Sequence, residues 1–341
     1  MRIVNIISGK DFGGTKQAFL DYGALMTSLG HDVHYVLKPH AKALEYLQHI
    51  PSDHLHTQSY FRSTFQPVMQ QSIHRLKRLL VSIRPHIIVA HKQIDLPLLK
   101  KAYPKARLIA VVHGFNARHI SNADQIIAVS FAVKKFLSGH TSKPISCIPN
   151  SVQLEHFKAY QTLHNPITIG SMGVFRRKKQ FETLFRACRI LKSNHESFQV
   201  IIAGRGHRKY WLQCLIRLWG LHHHIKIIPW VKDKQCFFNL IDIYCITSRT
   251  ESFNISLIEA MASQRCVIAS DCGGPRDIIL HNETGYLFPV GCAEVLASQL
   301  TDLIHHPHKI TTLSAAGFKR VKTCFSSHAL RSQLSELLKT D

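Results

Sequence analysis

The sequence predicts an α/β protein made of two Rossmann-like β/α/β domains facing across a cleft. Three observations carry that expectation. Short apolar runs of strand length alternate with longer segments of helical periodicity. The alternation lapses once, over residues 151–166, and then restarts. The chain has 341 residues, too many for one ordinary core and enough for two.

In the first half, strands are expected near Ile3–Ile7, Val33–Leu37, Ile87–Ala90, Leu108–Val112, Ile126–Val129 and Ile145–Ile148. Between them lie amphipathic segments, such as Ile73, Leu76, Leu80 and Ile83 at helical spacing. Alternation of this kind implies a parallel sheet covered on both faces. The lapse, SVQLEHFKAYQTLHNP, has no clear period and ends in Asn-Pro, a turn signal. The pattern resumes at Ile167–Ile169, Val200–Ala203, Ile225–Ile228, Ile243–Ile246, Val267–Ala269 and Tyr286–Phe288. The expected domains are residues 1–160 and 161–325. A helix over 326–341, carrying Leu330, Leu334, Leu337 and Leu338, would pack back on the first domain.

Composition narrows the function classes. Apolar residues make up 45% of the chain and charged residues 19%, which suits two buried cores and excludes a disordered or collagen-like chain. Lys and Arg number 43 against 21 Asp and Glu, a net charge of +22. That excess favours phosphorylated substrates or anionic headgroups, or is a basic bias spread over the surface. It is not gathered in one tail, which argues against nucleic acid. Nine Cys without a CxxC pair argue against a disulfide framework and a zinc site, and fit a reducing cytoplasm. The opening MRIVNIISGK lacks the apolar core of a signal peptide, and no run approaches the roughly 20 apolar residues of a membrane span.

The chemistry-bearing residues all fall just after expected strands, where doubly wound sheets bind ligands. Gly13 and Gly14 follow the first strand and precede a helix expected from about Gln17 to Gly30. Paired Gly there allows close approach of an anion to backbone N–H groups, or is a plain tight turn. His113 ends a buried strand before Gly114. It can donate to a sugar hydroxyl or phosphate, or be a satisfied structural histidine. Arg176, Arg177, Lys178 and Lys179 crowd the start of a helix expected from Phe181, an unfavourable place for cations unless an anion such as a diphosphate sits among them. A solvated basic loop is the alternative.

The segment TESFNISLIEAMA places Glu251 in a loop and Glu259 in the following helix. A carboxylate only accepts, so sugar hydroxyls are natural partners, with ribose hydroxyls at Glu259. Asn254, at the helix start, would tolerate a left-handed turn. The same spacing also suits a surface helix.

In combination these segments resemble the retaining family-4 glycosyltransferases with the GT-B fold. The likeness runs through GGTKQAFLDYGALMTSLGHDV, VVHG, ADQIIAVS, IPNSV, MGVFRRKKQFETLFRACRIL, VIIAGRGH, PWVKD, ESFNISLIEAMA, DCGGPRDII and TGYLFP, in order. The resemblance implies roles. Gly13 and Gly14 lie near the donor phosphates and acceptor, and His113 contacts the transferring sugar. Lys179 binds the diphosphate. Val231, with Trp230, lines the base pocket through its backbone. Glu251 holds sugar hydroxyls, and the amides of Phe253, Asn254 and Ile255 cover sugar and phosphate. Glu259 holds the ribose.

Four positions depart from the family pattern. Val174 stands where an Arg usually pairs with the Lys, so Arg176 or Arg177 would replace it. Gln180 and Asn254 stand for Gly, and Lys16 stands for an acidic residue.

The activity implied is transfer of a hexosyl group from a nucleoside diphosphate sugar to a glycan or lipid-linked acceptor, in polysaccharide or lipopolysaccharide synthesis. Neither a metal nor another cofactor is expected. The basic helix Arg75–Arg84 could lie on an anionic membrane face. A sugar-nucleotide epimerase of similar fold, or a non-catalytic polyanion-binding protein, are the rival readings.

Overall fold

A computed structural model describes residues 1–11, 13–61, 65–159 and 162–339. The chain forms two compact units, Met1–Ser151 with Leu330–Asp341, and Val152–Ala329. The boundary expected between residues 160 and 161 lies outside the described residues.

Among the described residues, the first unit holds seven parallel strands: β1 (Arg2–Ile7), β2 (Asp32–Leu37), β3 (Leu55–Thr57), β4 (Ile87–Ala90), β5 (Arg107–Val112), β6 (Gln125–Ala128) and β7 (Ile145–Cys147). Their order is β3-β2-β1-β4-β5-β6-β7. β1 therefore sends its successor to one side and has β4 on the other, so the strand order reverses between β1 and β4. Central strands read as continuous apolar runs because helices cover both faces; all four residues of Ile87–Ala90 are buried. The helix Gln66–Ile83 buries Leu76, Leu80 and Ile83 along one stripe and ends at Arg84 in a left-handed conformation. The helix Gly14–Ser28 starts three residues earlier than expected. It stops as expected at Gly30, whose φ of 81° is cheap only for glycine.

Among the described residues, the second unit holds six parallel strands: β8 (Ile167–Val174), β9 (Phe198–Arg205), β10 (Ile225–Ile228), β11 (Ile243–Ile246), β12 (Cys266–Ser270) and β13 (Tyr286–Phe288). The order β10-β9-β8-β11-β12-β13 reverses between β8 and β11. Phe175, Phe181, Phe185 and Phe198 pack with Ile169, Val200 and Ile202 into its core. Burying each such side chain is worth about 1.5–3 kcal/mol.

The last helix, Ser327–Lys339, buries Leu330, Leu334, Leu337 and Leu338. Its body belongs to the first unit. Arg331 donates to the Ser28 carbonyl at 2.7 Å, and Arg107 to the Leu337 carbonyl at 3.1 Å. No helix among the described residues is long and apolar enough to cross a membrane.

Candidate functional site

In the second unit the candidate residues gather at the strand-order reversal. β8 delivers the basic loop and β11 delivers the glutamate loop, so neighbouring strands bring them together. Lys179 Nζ meets Glu251 Oε1 at 2.5 Å. The buried Ser248 hydroxyl donates to the same oxygen at 2.7 Å. Two hydrogen bonds to backbone carbonyls hold the loops in register: Thr247 Oγ1 donates to the Lys179 carbonyl at 2.9 Å, and the Arg249 amide donates to the Lys178 carbonyl at 2.8 Å. Glu251 is buried, and its own backbone carbonyl accepts from the Gly274 amide at 2.9 Å. That approach needs glycine, since a Cβ at 274 would stand 2.5 Å from Phe253 Cα.

Lys179 is followed by Gln180, whose φ of 46° and ψ of 43° are left-handed. The turn that swings the basic loop into the helix Phe181–Ser193 thus uses a conformation glycine favours, which accounts for the family's glycine there. Of the other cations, Arg176, Arg177 and Lys178 are exposed. Arg177 lines a hollow with Arg186, Arg208 and Trp211. Among the described residues the side chains of Arg176 and Arg177 form no hydrogen bond or ion pair with Lys179 or Glu251; Arg176 meets Lys179 through its backbone carbonyl, which accepts from the Lys179 amide at 3.0 Å. A different cation stands by Val174. Arg205, at the end of β9, is its register partner. The Arg205 guanidinium lies 5.8 Å from the centroid of the Trp230 ring, within cation–π range.

The helix Ile255–Ala262 begins as the sequence suggests, but Asn254 is not left-handed. It is an extended N-cap (φ −132°, ψ 97°) whose Oδ1 accepts from the Leu257 amide at 3.0 Å. The correction has a simple cause: an Asn side chain satisfies one of the helix's orphan N–H groups only from extended backbone. Phe253 is buried against the Phe325 ring, 6.0 Å away. Val231 follows β10, half-buried in the loop after it.

One turn into that helix, Glu259 is 5% exposed. Lys234 Nζ meets its Oε1 at 2.5 Å, and Oε2 is buried without a hydrogen-bond partner among the described residues. Lys234 opens the short helix Lys234–Phe238, capped by the Asp233 carboxylate. A buried carboxylate oxygen without a donor is costly, and a ligand hydroxyl would satisfy it.

In the first unit, three loops leave the carboxyl ends of the adjacent strands β1, β4 and β5. Gly13 is the extended N-cap of the helix that opens with Gly14, in open space. His113, after β5, is tied to His91, after β4, with His113 Nε2 3.0 Å from His91 Nδ1. His91 Nε2 lies 2.9 Å from Asn5 Oδ1, and Asn5 Nδ2 donates to the Phe19 carbonyl at 2.9 Å. The chain fixes the protons. Asn5 Oδ1 accepts, so His91 donates from Nε2 and accepts at Nδ1, and His113 spends its Nε2 proton on His91. Burial first, and then the Lys92 charge, push His113 down to about 3. Burial drives His91 well below its ordinary value. Both rings are neutral, and the nitrogen that His113 keeps for other partners, Nδ1, is an acceptor. The expected donor to a sugar or phosphate is therefore an acceptor instead.

Lys16, in the same helix start, is buried, and its ammonium donates to the Gly9 carbonyl at 2.8 Å. Burial and then Lys92 lower it to about 8. It braces the glycine loop.

Sequence reasoning singled out Lys179, Glu251 and Glu259 but missed Lys234, Ser248, Arg205, His91 and Asn5. Lys234 directly follows the PWVKD segment, and Arg205 lies inside VIIAGRGH. The others are lone polar residues at strand ends, or inside a strand, without a spacing that marks them.

Two doubly wound units, each with polar and charged side chains at its strand-order reversal, define the class of Rossmann-like ligand-binding proteins. Comparison with known families narrows it. Glycosyl transferases group 1 matches residues 152–320, and Glycosyltransferase Family 4 matches residues 12–156. The chain belongs to the group 1 glycosyltransferases.

Among curated relatives it is 28% identical over 215 residues to the amylovoran biosynthesis glycosyltransferase AmsK of Erwinia amylovora, covering 60% of this chain and 53% of that protein. It is 28% identical over 204 residues to the phosphatidyl-myo-inositol mannosyltransferase of Mycobacterium leprae, covering 58% and 54%. The matched region thus spans about half the length of these relatives. The crystal structure of Anabaena HepE in complex with UDP and glucose superposes with a TM-score of 0.83 at 18% identity, over 100% of both chains. The fold is GT-B. The comparisons give no support to the epimerase or non-catalytic readings.

Proposed function

We propose that the protein is a retaining hexosyltransferase that takes its sugar from a nucleoside diphosphate donor. The observation that carries this reading is the Lys179–Glu251 pair at the reversal between β8 and β11. Without a donor, each neutralises the other. With a donor bound, the diphosphate takes over the Lys179 ammonium and the freed carboxylate accepts from sugar hydroxyls. Arg205 supplies a second cation in place of the family's Arg at Val174, and Glu259 accepts from the ribose through the Oε2 that lacks a donor.

In the reaction, the bond from the anomeric carbon to the diphosphate oxygen breaks, and its electron pair leaves with the diphosphate. The acceptor hydroxyl oxygen attacks from the same face, and its proton passes to a diphosphate oxygen. The protein's contribution is preorganised stabilisation of the leaving charge, an effect worth about 3–4 kcal/mol per well-placed donor in other enzymes. The family resemblance gives His113 a contact with a hydroxyl of the transferring sugar.

The acceptor is a glycan or a lipid-linked precursor in envelope polysaccharide synthesis, in keeping with AmsK, whose name places it in amylovoran biosynthesis. The exposed Lys77, Arg78 and Arg84 of the basic helix would meet an anionic cytoplasmic membrane face. The test is a panel of nucleoside diphosphate sugars scored by released diphosphate, with the anomeric configuration of the product read by NMR. Release with a retained anomeric centre is the expected result. Isomerised donor without release would reject the proposal.

A further inference from the structure

The outer edge of the first unit's sheet carries a cluster that the transferase reading does not use. β2 begins Asp32-Val33-His34, and β3 is entered through His54-Leu55-His56. Residues two apart on a strand share a face. The parallel register pairs Val36 with His56, which sets His34 beside position 54. All four polar side chains therefore stand on one face of two neighbouring strands.

Their atoms converge. Asp32 Oδ1 is 3.0 Å from His54 Nε2 and 3.4 Å from His34 Nε2, and the three lie within 4.8 Å of one another. A tetrahedral ion with bonds of about 2.1 Å sets its ligand atoms about 3.4 Å apart, so the His34–Asp32 edge already has that length and the His54–Asp32 edge, at 3.0 Å, is somewhat short of it.

The remaining nitrogens are held in the manner of metal-bound imidazoles, which give their other N–H to an acceptor. His54 Nδ1 is 2.9 Å from Asp53 Oδ1, which can only accept. His34 Nδ1 is 3.0 Å from His56 Nε2. Without an ion, His54 Nε2 donates to Asp32 Oδ1; with that proton lost and both outer protons given away, both Nε2 atoms would offer lone pairs to an ion beside Asp32. The two rings stack with centroids 4.7 Å apart and planes 12° from parallel. Arg2, with Nε 3.3 Å from Asp32 Oδ2, fixes the carboxylate and leaves Oδ1 to the cluster, at the expense of a nearby positive charge.

We infer that Asp32, His34 and His54 bind a divalent ion of the zinc class, with water as fourth ligand. Two imidazoles and one carboxylate suit zinc, cobalt or nickel over calcium or magnesium. The ion fastens β3, an edge strand of three residues, to β2. The site lies at the amino end of β2, while His113 and Gly13 follow the carboxyl ends of their strands. The ion is therefore a clamp on the fold and takes no part in transfer. A bound ion replaces the proton that His54 and Asp32 otherwise share.

The test uses the full chain stripped with EDTA. Calorimetry should show one saturable Zn²⁺ site, and Co²⁺ should give the intense visible bands of tetrahedral coordination. His34→Ala and His54→Ala should each remove the bands and weaken Zn²⁺ binding at least a hundredfold. Asp53→Asn should weaken it roughly tenfold to a hundredfold through the lost outer hydrogen bond. A control altering another surface pair, His306→Ala with His308→Ala, should change nothing. Circular dichroism checks that each variant folds. Undiminished Zn²⁺ affinity in His54→Ala would overturn the inference. So would weak octahedral Co²⁺ bands in the wild-type chain, a result that needs no variant.

Discussion

Lys234 holds one oxygen of Glu259 at 2.5 Å and leaves the other buried without a donor among the described residues. A carboxylate so placed is half satisfied by the protein. Glu259→Gln puts an amide where a hydroxyl should donate. Affinity for a nucleoside diphosphate should fall about tenfold or more, while affinity for pyrophosphate, which has no ribose, should hardly change. Calorimetry with the two ligands measures the difference, and equal losses for both would rule out the ribose role.

The cation next to the diphosphate is expected to be Arg205 rather than a member of the exposed loop. Arg205→Ala should raise the donor KM severalfold or more with a smaller effect on kcat. Arg177→Ala should stay near wild type, since its side chain lines the hollow with Arg186 and Arg208. Initial-rate kinetics on both variants decide the order; the reverse ranking would return the role to the loop.

The His91–His113 chain makes a prediction about acid. Both rings are depressed in the folded protein, so above pH 6.5, the ordinary value, neither folded nor unfolded chain protonates them and their stabilisation is complete. As pH falls from 6.5 toward 3, the unfolded chain takes up protons that the folded one refuses, and stability is lost. The slope is about 1.4 kcal/mol per pH unit for each histidine. His113→Gln should flatten the decline by roughly one histidine's share. Urea midpoints from pH 4 to pH 8, wild type against variant, test this; parallel curves would refute it.

Gln180 stores strain. Its backbone is left-handed at φ 46°, and its side-chain oxygen is buried without a hydrogen-bond partner among the described residues. Gln180→Gly relieves both, and should raise stability by about 0.5–1 kcal/mol despite the added freedom of the unfolded chain. A thermal melt suffices. A lowered Tm would mean that the side chain contributes packing that outweighs the strain.

Much of this molecule was legible in the sequence. The runs at Ile225–Ile228, Ile243–Ile246 and Tyr286–Phe288 are strands with those bounds, because buried parallel strands are nearly unbroken apolar runs. β8 was read too short: Gly170, Ser171 and Gly173 interrupt its apolar pattern, yet the strand continues to Val174. There Ile241 presses close enough that a Cβ at Gly170 would stand 2.4 Å from its Cδ1, so the small residue belongs to the packing. β3 was missed, having one apolar residue, Leu55, between two histidines. In the site, the glutamate pair and Lys179 could be found from motif order. The proton on His113 could not, because it is decided by Asn5 and His91, which only the adjacency of β1, β4 and β5 brings together.

The last helix has a consequence for how the protein is made. Its leucines complete the first unit, yet they follow the whole of Val152–Ala329 in the chain. On the ribosome, the first unit would wait roughly ten to forty seconds, at 5–20 residues per second, with part of its apolar surface uncovered. The second unit is a continuous segment and can fold as soon as it emerges. Translation order and completion order are thus inverted: the first unit to be synthesised is the last to be finished, and truncation near residue 329 should yield a product whose exposed leucine-binding surface attracts chaperones.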